Sequence, residues 1–189
     1  MSVSEPCGRP HRWRPIIKLP PEVEREFPAR SSEWVPAFPT LMRPWLGGIR
    51  AYWLVELQAF YLENDEIVRV SGFDPESEVN LLGEFYEKYK SPAQILRQVM
   101  MNDPARELNF CVFDAELPGK GASERCEYFQ NLVQNDHGNT IHVQVIQVGK
   151  DSSFNQWLNQ WKSSLFKGAL VVAPDAPWLS TEYEVQEEV

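Results

Sequence analysis

Residues 108–117 read Leu-Asn-Phe-Cys-Val-Phe-Asp-Ala-Glu-Leu. The apolar run at 110–113 is too short for a helix and closes on acidic residues and the turn pair Pro118-Gly119. It predicts a strand buried on both faces. Downstream, residues 123–134 put Cys126, Phe129 and Val133 on one helical stripe. Residues 140–148 alternate, with Ile141, Val143 and Val145 apolar against His142, Gln144 and Gln147. Asp151 or Ser152 caps a helix that carries Phe154, Trp157, Leu158, Trp161 and Leu165, and a short apolar strand at 169–173 ends at Pro174. Strand, helix, strand, helix, strand in that order implies a right-handed parallel unit.

Toward the N-terminus, Ser91-Pro92 has the cap-and-proline form of a helix start and leads into Ile95, Leu96, Val99 and Met100. Asp74-Pro75 has the same form, and Val79, Leu82, Phe85, Tyr86 and Tyr89 follow at helical spacing, which predicts a second helix. Residues 50–62 and 67–73, separated by Glu63-Asn64-Asp65-Glu66, read as a hairpin. The expected fold class is α/β or α+β: one mixed sheet, built from an opening hairpin and then β-α-β-α-β, with helices packed on it.

Nine of the fifteen prolines fall in the first 45 residues. Proline fixes φ and lacks a donor, so this stretch is expected to hold neither a long helix nor a central strand. Trp13, Trp34, Phe38 and Trp45 nevertheless make it too apolar for a solvating tail. The expected organisation is an extended proline-rich basic arm over 1–46, packed on the body or on a partner, a mixed α/β domain over 47–179, and an acidic frayed tail over 180–189. Gly47-Gly48 ends the arm in this reading.

The net charge of −9 is uneven. Residues 1–50 carry eight Arg or Lys against five Glu, while the remainder carries ten against 22 acidic residues. A basic arm on an acidic body suits contact with an acidic surface and argues against nucleic acid wrapping the domain itself. Three scattered cysteines fit neither a disulfide framework nor a zinc site. The start lacks the apolar segment of a signal peptide, and no run approaches the roughly 20 apolar residues of a membrane span. A cytoplasmic protein without membrane association, metal or cofactor is expected.

Four constellations are candidates for function. Gly119, Lys120, Gly121 and Ser123 lie between a strand and a helix, where a glycine turn can offer backbone N–H groups to an anion, although the spacing matches no P-loop or dinucleotide fingerprint. Asp114, Glu116 and Asp175 follow strands, where ligands gather in open α/β sheets. Cys126 with His137 and His142 has the residue types of thiol chemistry, but Cys126 falls on an apolar stripe. Trp157 and Trp161, at i and i+4, and Arg12, Trp13, Arg14 and Trp34 in the arm are candidate interface residues.

The sequence therefore leads to the expectation of a non-catalytic interaction or adaptor subunit, with the arm and exposed aromatics touching another protein subunit. Two alternatives stand beside it. One is a small enzyme or phosphate- or nucleotide-binding domain that uses the strand-end loops. The other is a nucleoprotein-complex subunit that reaches phosphates through residues 9–18.

Overall fold

The computed structural model describes residues 24–133 and 139–189. In chain order these form β1 (Arg30–Ser31), β2 (Thr40–Pro44), β3 (Ile49–Leu54), β4 (Ala59–Leu62), β5 (Ile67–Val68) and β6 (Leu81–Tyr86). Then follow α1 (Pro92–Met100), β7 (Asn109–Ala115), α2 (Ala122–Val133), β8 (Thr140–His142), β9 (Ile146–Val148), α3 (Asp151–Ser163), β10 (Ala169–Val172) and β11 (Glu182–Val185). The mixed α/β content matches expectation. The single sheet does not, because the strands divide into a five-stranded sheet, β1-β11-β10-β2-β9, and a six-stranded sheet, β5-β4-β3-β6-β7-β8.

The two sheets face each other, and each carries helices on its outer side. Phe154, Leu158 and Trp161 of α3 pack on Met42, Val148, Ala169 and Val171 of the smaller sheet. Ile95 and Val99 of α1 and Phe129 of α2 pack on Phe60, Phe85, Phe110 and Val112 of the larger one. Period-2 alternation sends the other residues of these strands inward: Leu41 on β2, and Leu82 and Cys111 on β6 and β7. Strands so covered read as nearly continuous apolar runs.

Several sequence expectations are corrected by this arrangement. Residues 40–44 form β2, which lies between β10 and β9 inside the smaller sheet. Prolines 39 and 44 bracket that strand, so the donors of Leu41, Met42 and Arg43 remain for the ladder. The smaller sheet thus crosses the boundary drawn at residue 46, and residues 182–185 add β11 where a frayed tail was expected. Gly47-Gly48 is the corner at which the chain leaves one sheet for the other. Gly47 has φ +75, and a Cβ on Gly48 would lie 2.0 Å from the Phe85 carbonyl oxygen, so glycine is required there.

The helix expected after Asp74-Pro75 is instead β6. Its edges pair with β3 and β7 and its faces are buried against the helices on one side and the cleft side on the other, and an apolar run of that kind satisfies helical and strand spacing equally. Gly83 argues for the strand: a Cβ there would come within 2.7 Å of the Phe110 ring. Residues 50–62 are themselves a hairpin, β3 with β4. The alternating segment 140–148 is split, β8 pairing with β7 in parallel and β9 pairing with β2 across the cleft. α1 is as expected, with Ser91 and Gln94 forming a capping box.

Candidate functional site: the cleft between the sheets

The inner faces of β2, β10 and β11 meet those of β6 and β7 at a cleft closed at one end by the start of α2. A β-bulge shapes its floor. β6 pairs Leu82 with Asp114 but Gly83 with Val112, so Phe113 is the extra residue. In a regular strand Phe113 and Asp114 would point to opposite faces; the bulge turns both into the cleft. Above them Arg43 projects from β2 and Glu182 from β11.

Arg43 is 5% exposed and Glu182 6%, so both charges are out of bulk water. Arg43 Nη2 donates to Glu182 Oε2 at 2.6 Å, and Nε donates to the same oxygen at 3.2 Å. Its guanidinium lies 3.6 Å from the centroid of Phe113, a desolvated cation–π contact. On the other side Arg43 Nη1 is 3.8 Å from Oε2 of Glu84, which belongs to the larger sheet and is fully buried. Arg30 approaches Glu84 Oε1 to 3.9 Å. Burial pushes the Glu84 carboxyl above its ordinary range, against the pull of Arg43 and Arg30.

This network is incompletely bonded. Arg43 Nη1, Glu182 Oε1 and both Glu84 oxygens have no hydrogen-bond partner among the described residues. Buried polar atoms left in that state cost about 1–3 kcal/mol each unless water or a ligand serves them. The cleft has a volume of about 50 Å³ beside Arg43 and Glu182. At roughly 10–15 Å³ per water on that measure, it holds a few waters or one small anion. Arg43, lying on Phe113, is what keeps it narrow.

Arg125 organises the closed end. It is 3% exposed and reaches four partners. Nε donates to Asp114 Oδ1 at 2.8 Å, and Nη1 donates to the carbonyls of Lys120 and Ala176 at 2.7 and 2.9 Å. Its guanidinium also lies 5.6 Å from the centroid of Trp178. Asp114 and the loop bearing Asp175 thus come to one corner, with the Asp175 Cα 3.2 Å from where a Cβ on Gly121 would be. Burial raises the Asp114 carboxyl despite the Arg125 bond. Glu116 accepts from Asn80 Nδ2 at 2.6 Å and pairs with Arg25, away from Arg43.

The glycine loop spends its donors internally. The Ser123 amide donates to the Pro174 carbonyl at 2.8 Å, and Lys120 pairs with Glu124 at 3.3 Å on the surface. Gly119, at φ +83, makes the turn. Cys126 lines the cleft, and burial pushes its thiol up to about 11. His142 sits on β8 with its ring toward the Val143 carbonyl, and His137 lies outside the described residues, as do Arg12, Trp13 and Arg14. Trp161 is buried under α3, Trp157 packs beside it at 5.8 Å, and Trp34 packs on Phe154 at 5.1 Å.

No protein-family model matches the chain, and no curated protein does. Solved structures do. A structure from an analysis of Lig E DNA ligases has a TM-score of 0.69 at 14% identity, covering 86% of this chain and 67% of that one. The two chains share a fold. Chlorella virus DNA ligase-adenylate gives 0.70 at 15% identity, covering 85% and 67%. The ATP-dependent DNA ligase of bacteriophage T7 in complex with ATP gives 0.56 at 10%, covering 79% and 62%. The expectation of a non-catalytic adaptor is thereby corrected: the solved structures that share this fold are DNA ligases, and of the candidate interface residues Trp161 is buried under α3 while Trp34 is half-buried against Phe154. No helix among the described residues is long and apolar enough to cross a membrane.

Arg43, Phe113, Glu84 and Glu182 were not singled out in the sequence. Glu84 inside an apolar run was the one available signal, since an acidic residue there must be paired or functional.

Proposed function

We propose that this chain is a nucleotide-binding domain of DNA-ligase fold, and that the cleft between its sheets takes the phosphates of a nucleoside triphosphate. The observation that carries this reading is Arg43. A guanidinium nearly out of water, on an aromatic floor, with one nitrogen lacking a hydrogen bond, is a receptor for an oxyanion. The bacteriophage T7 ligase, which shares the fold, was solved with ATP.

Binding requires Arg43 to exchange Glu182 for phosphate and to lift from Phe113, which then presents its ring to the ligand. Arg43 keeps a charge-assisted bond through the exchange, while Glu182 loses its closest cation and retains the attraction of Arg30, a cost that the bond to phosphate has to offset. The acidic body argues against a duplex lying along this surface, whereas a single nucleotide needs only the local field of Arg43 and Arg125.

A thermal-shift titration tests the reading. ATP at 100 times its Kd stabilises by about 2.7 kcal/mol, a rise of roughly 5–10 °C in Tm for a chain of this size. Arg43→Lys, which keeps the charge but loses the fork, should cut the rise by more than half. An unchanged Tm at 10 mM ATP would exclude the proposal.

A further inference from the structure

The cleft beside Arg43 is about 50 Å³, whereas pockets for small-molecule ligands run to roughly 300–1,000 Å³. A nucleoside triphosphate therefore enters only where part of the chain gives way. Residues 24–29 lie in the way. They belong to no helix or strand, they cover the inner face of the larger sheet through Phe27, and Pro28 lines the cleft itself.

The half-buried Phe27 ring lies 4.9 Å from that of Tyr52 and stacks on that of Tyr61 at 6.1 Å, and the Arg50 guanidinium is 5.3 Å from its centroid. Tyr52, Tyr61 and Phe113 share one buried cluster, so the slot that Phe27 fills continues into the aromatic floor beneath Arg43. Tyrosine rings and a guanidinium around a flat ring suit a nucleobase as well as they suit a phenyl group.

Polar contacts fasten this segment. Arg25 pairs with Glu116 at 3.2 Å, Tyr52 Oη donates to the Glu26 carbonyl at 2.6 Å, and Arg50 Nη1 donates to the Pro28 carbonyl at 2.6 Å. The Ala29 carbonyl accepts from the amide of Glu182, the residue whose side chain holds Arg43.

We infer that residues 24–29 are a strap that holds the cleft shut, with Phe27 seated in the place of the ligand's base, and that the nucleotide binds by displacing it. The inference rests on the nucleotide reading of the cleft and adds regulation to it. A closed strap weakens the apparent affinity in proportion to the fraction of molecules in which it is open. A Phe27 that merely supported the fold would act in the opposite sense, because its loss would weaken binding.

Isothermal titration of the full chain and two variants with ATP tests the strap. Phe27→Ala empties the slot and should lower the Kd about tenfold. Arg25→Gln loosens the strap from outside the slot and should lower it about threefold, so the test stands even where Phe27→Ala folds poorly. Saturating ATP should also speed tryptic cleavage after Arg25 in the wild type about fivefold, read by mass spectrometry. A wild type that binds ATP, with both variants binding it equally or more weakly, would overturn the strap and leave the nucleotide reading standing. Cleavage after Arg25 indifferent to bound ATP would do the same. If none of the three proteins binds ATP at 10 mM, the nucleotide reading fails and the strap falls with it.

Discussion

Arg43 and Glu182 meet at 2.6 Å although β10 lies between their strands. The guanidinium reaches over β10 on the inner face of the sheet to do so, with Phe113 of the opposite sheet beneath it. One side chain therefore fastens β11 to β2 and closes the cleft between the two layers.

The pair should show the asymmetry of buried charges. Arg43→Ala leaves Glu182 and Glu84 without their closest cation and should cost about 3–5 kcal/mol in urea denaturation. Arg43→Met/Glu182→Met removes both charges and should recover most of that loss. A double variant no more stable than Arg43→Ala would mean that the pair is not the main source of the effect.

Glu84 sets a pH dependence. Its carboxyl titrates above the unfolded value, so the folded state holds the proton more tightly than the unfolded chain. That contribution is fully present below the unfolded value, roughly pH 4.3, and is lost as pH rises through the folded one. Glu84→Gln, which mimics the protonated form, should gain on the wild type as pH rises from 4 to 8. A constant difference in Tm across that range would show that Glu84 does not titrate in this way.

Two glycines are fixed by close approach. Gly48→Ala drives a Cβ into the Phe85 carbonyl and Gly83→Ala drives one into Phe110 and the Cys111 carbonyl. Overpacking against backbone should cost about 3 kcal/mol at each position. Gly72→Ala, with nothing within 4 Å but φ +84, should cost less, through backbone strain alone.

Cys126 lines the cleft with its thiol pushed up to about 11. It should resist iodoacetamide at pH 7.5 in the folded protein and react once urea unfolds the chain, as mass spectrometry would show. Rapid alkylation of the native protein would contradict this.

Much of the fold could be read from local pattern. α1, α2, α3, β7 and β10 each carry their own cap, stripe or apolar run, and all were anticipated. What failed was non-local. β6 and helix share a spacing when both faces are buried, and nothing within 81–86 says that β3 and β7 will flank it. The division of 140–148 between two sheets depends on β2, a hundred residues earlier, and β2 itself was hidden by its bracketing prolines. The site failed for the same reason: Arg43, Glu84, Phe113 and Glu182 come from four strands, and the bulge that brings Asp114 into the cleft beside Phe113 exists only in the pairing of β6 with β7.

The central claim is that a nucleoside triphosphate enters between the sheets and takes Arg43 from Glu182. The Nε–H resonance of Arg43, followed by NMR during an ATP titration and assigned through Arg43→Lys, reports that exchange directly. The account predicts that this resonance shifts in step with the Phe113 ring protons and saturates with added ATP. If ATP leaves both unmoved, or moves only residues outside the cleft, the account is wrong.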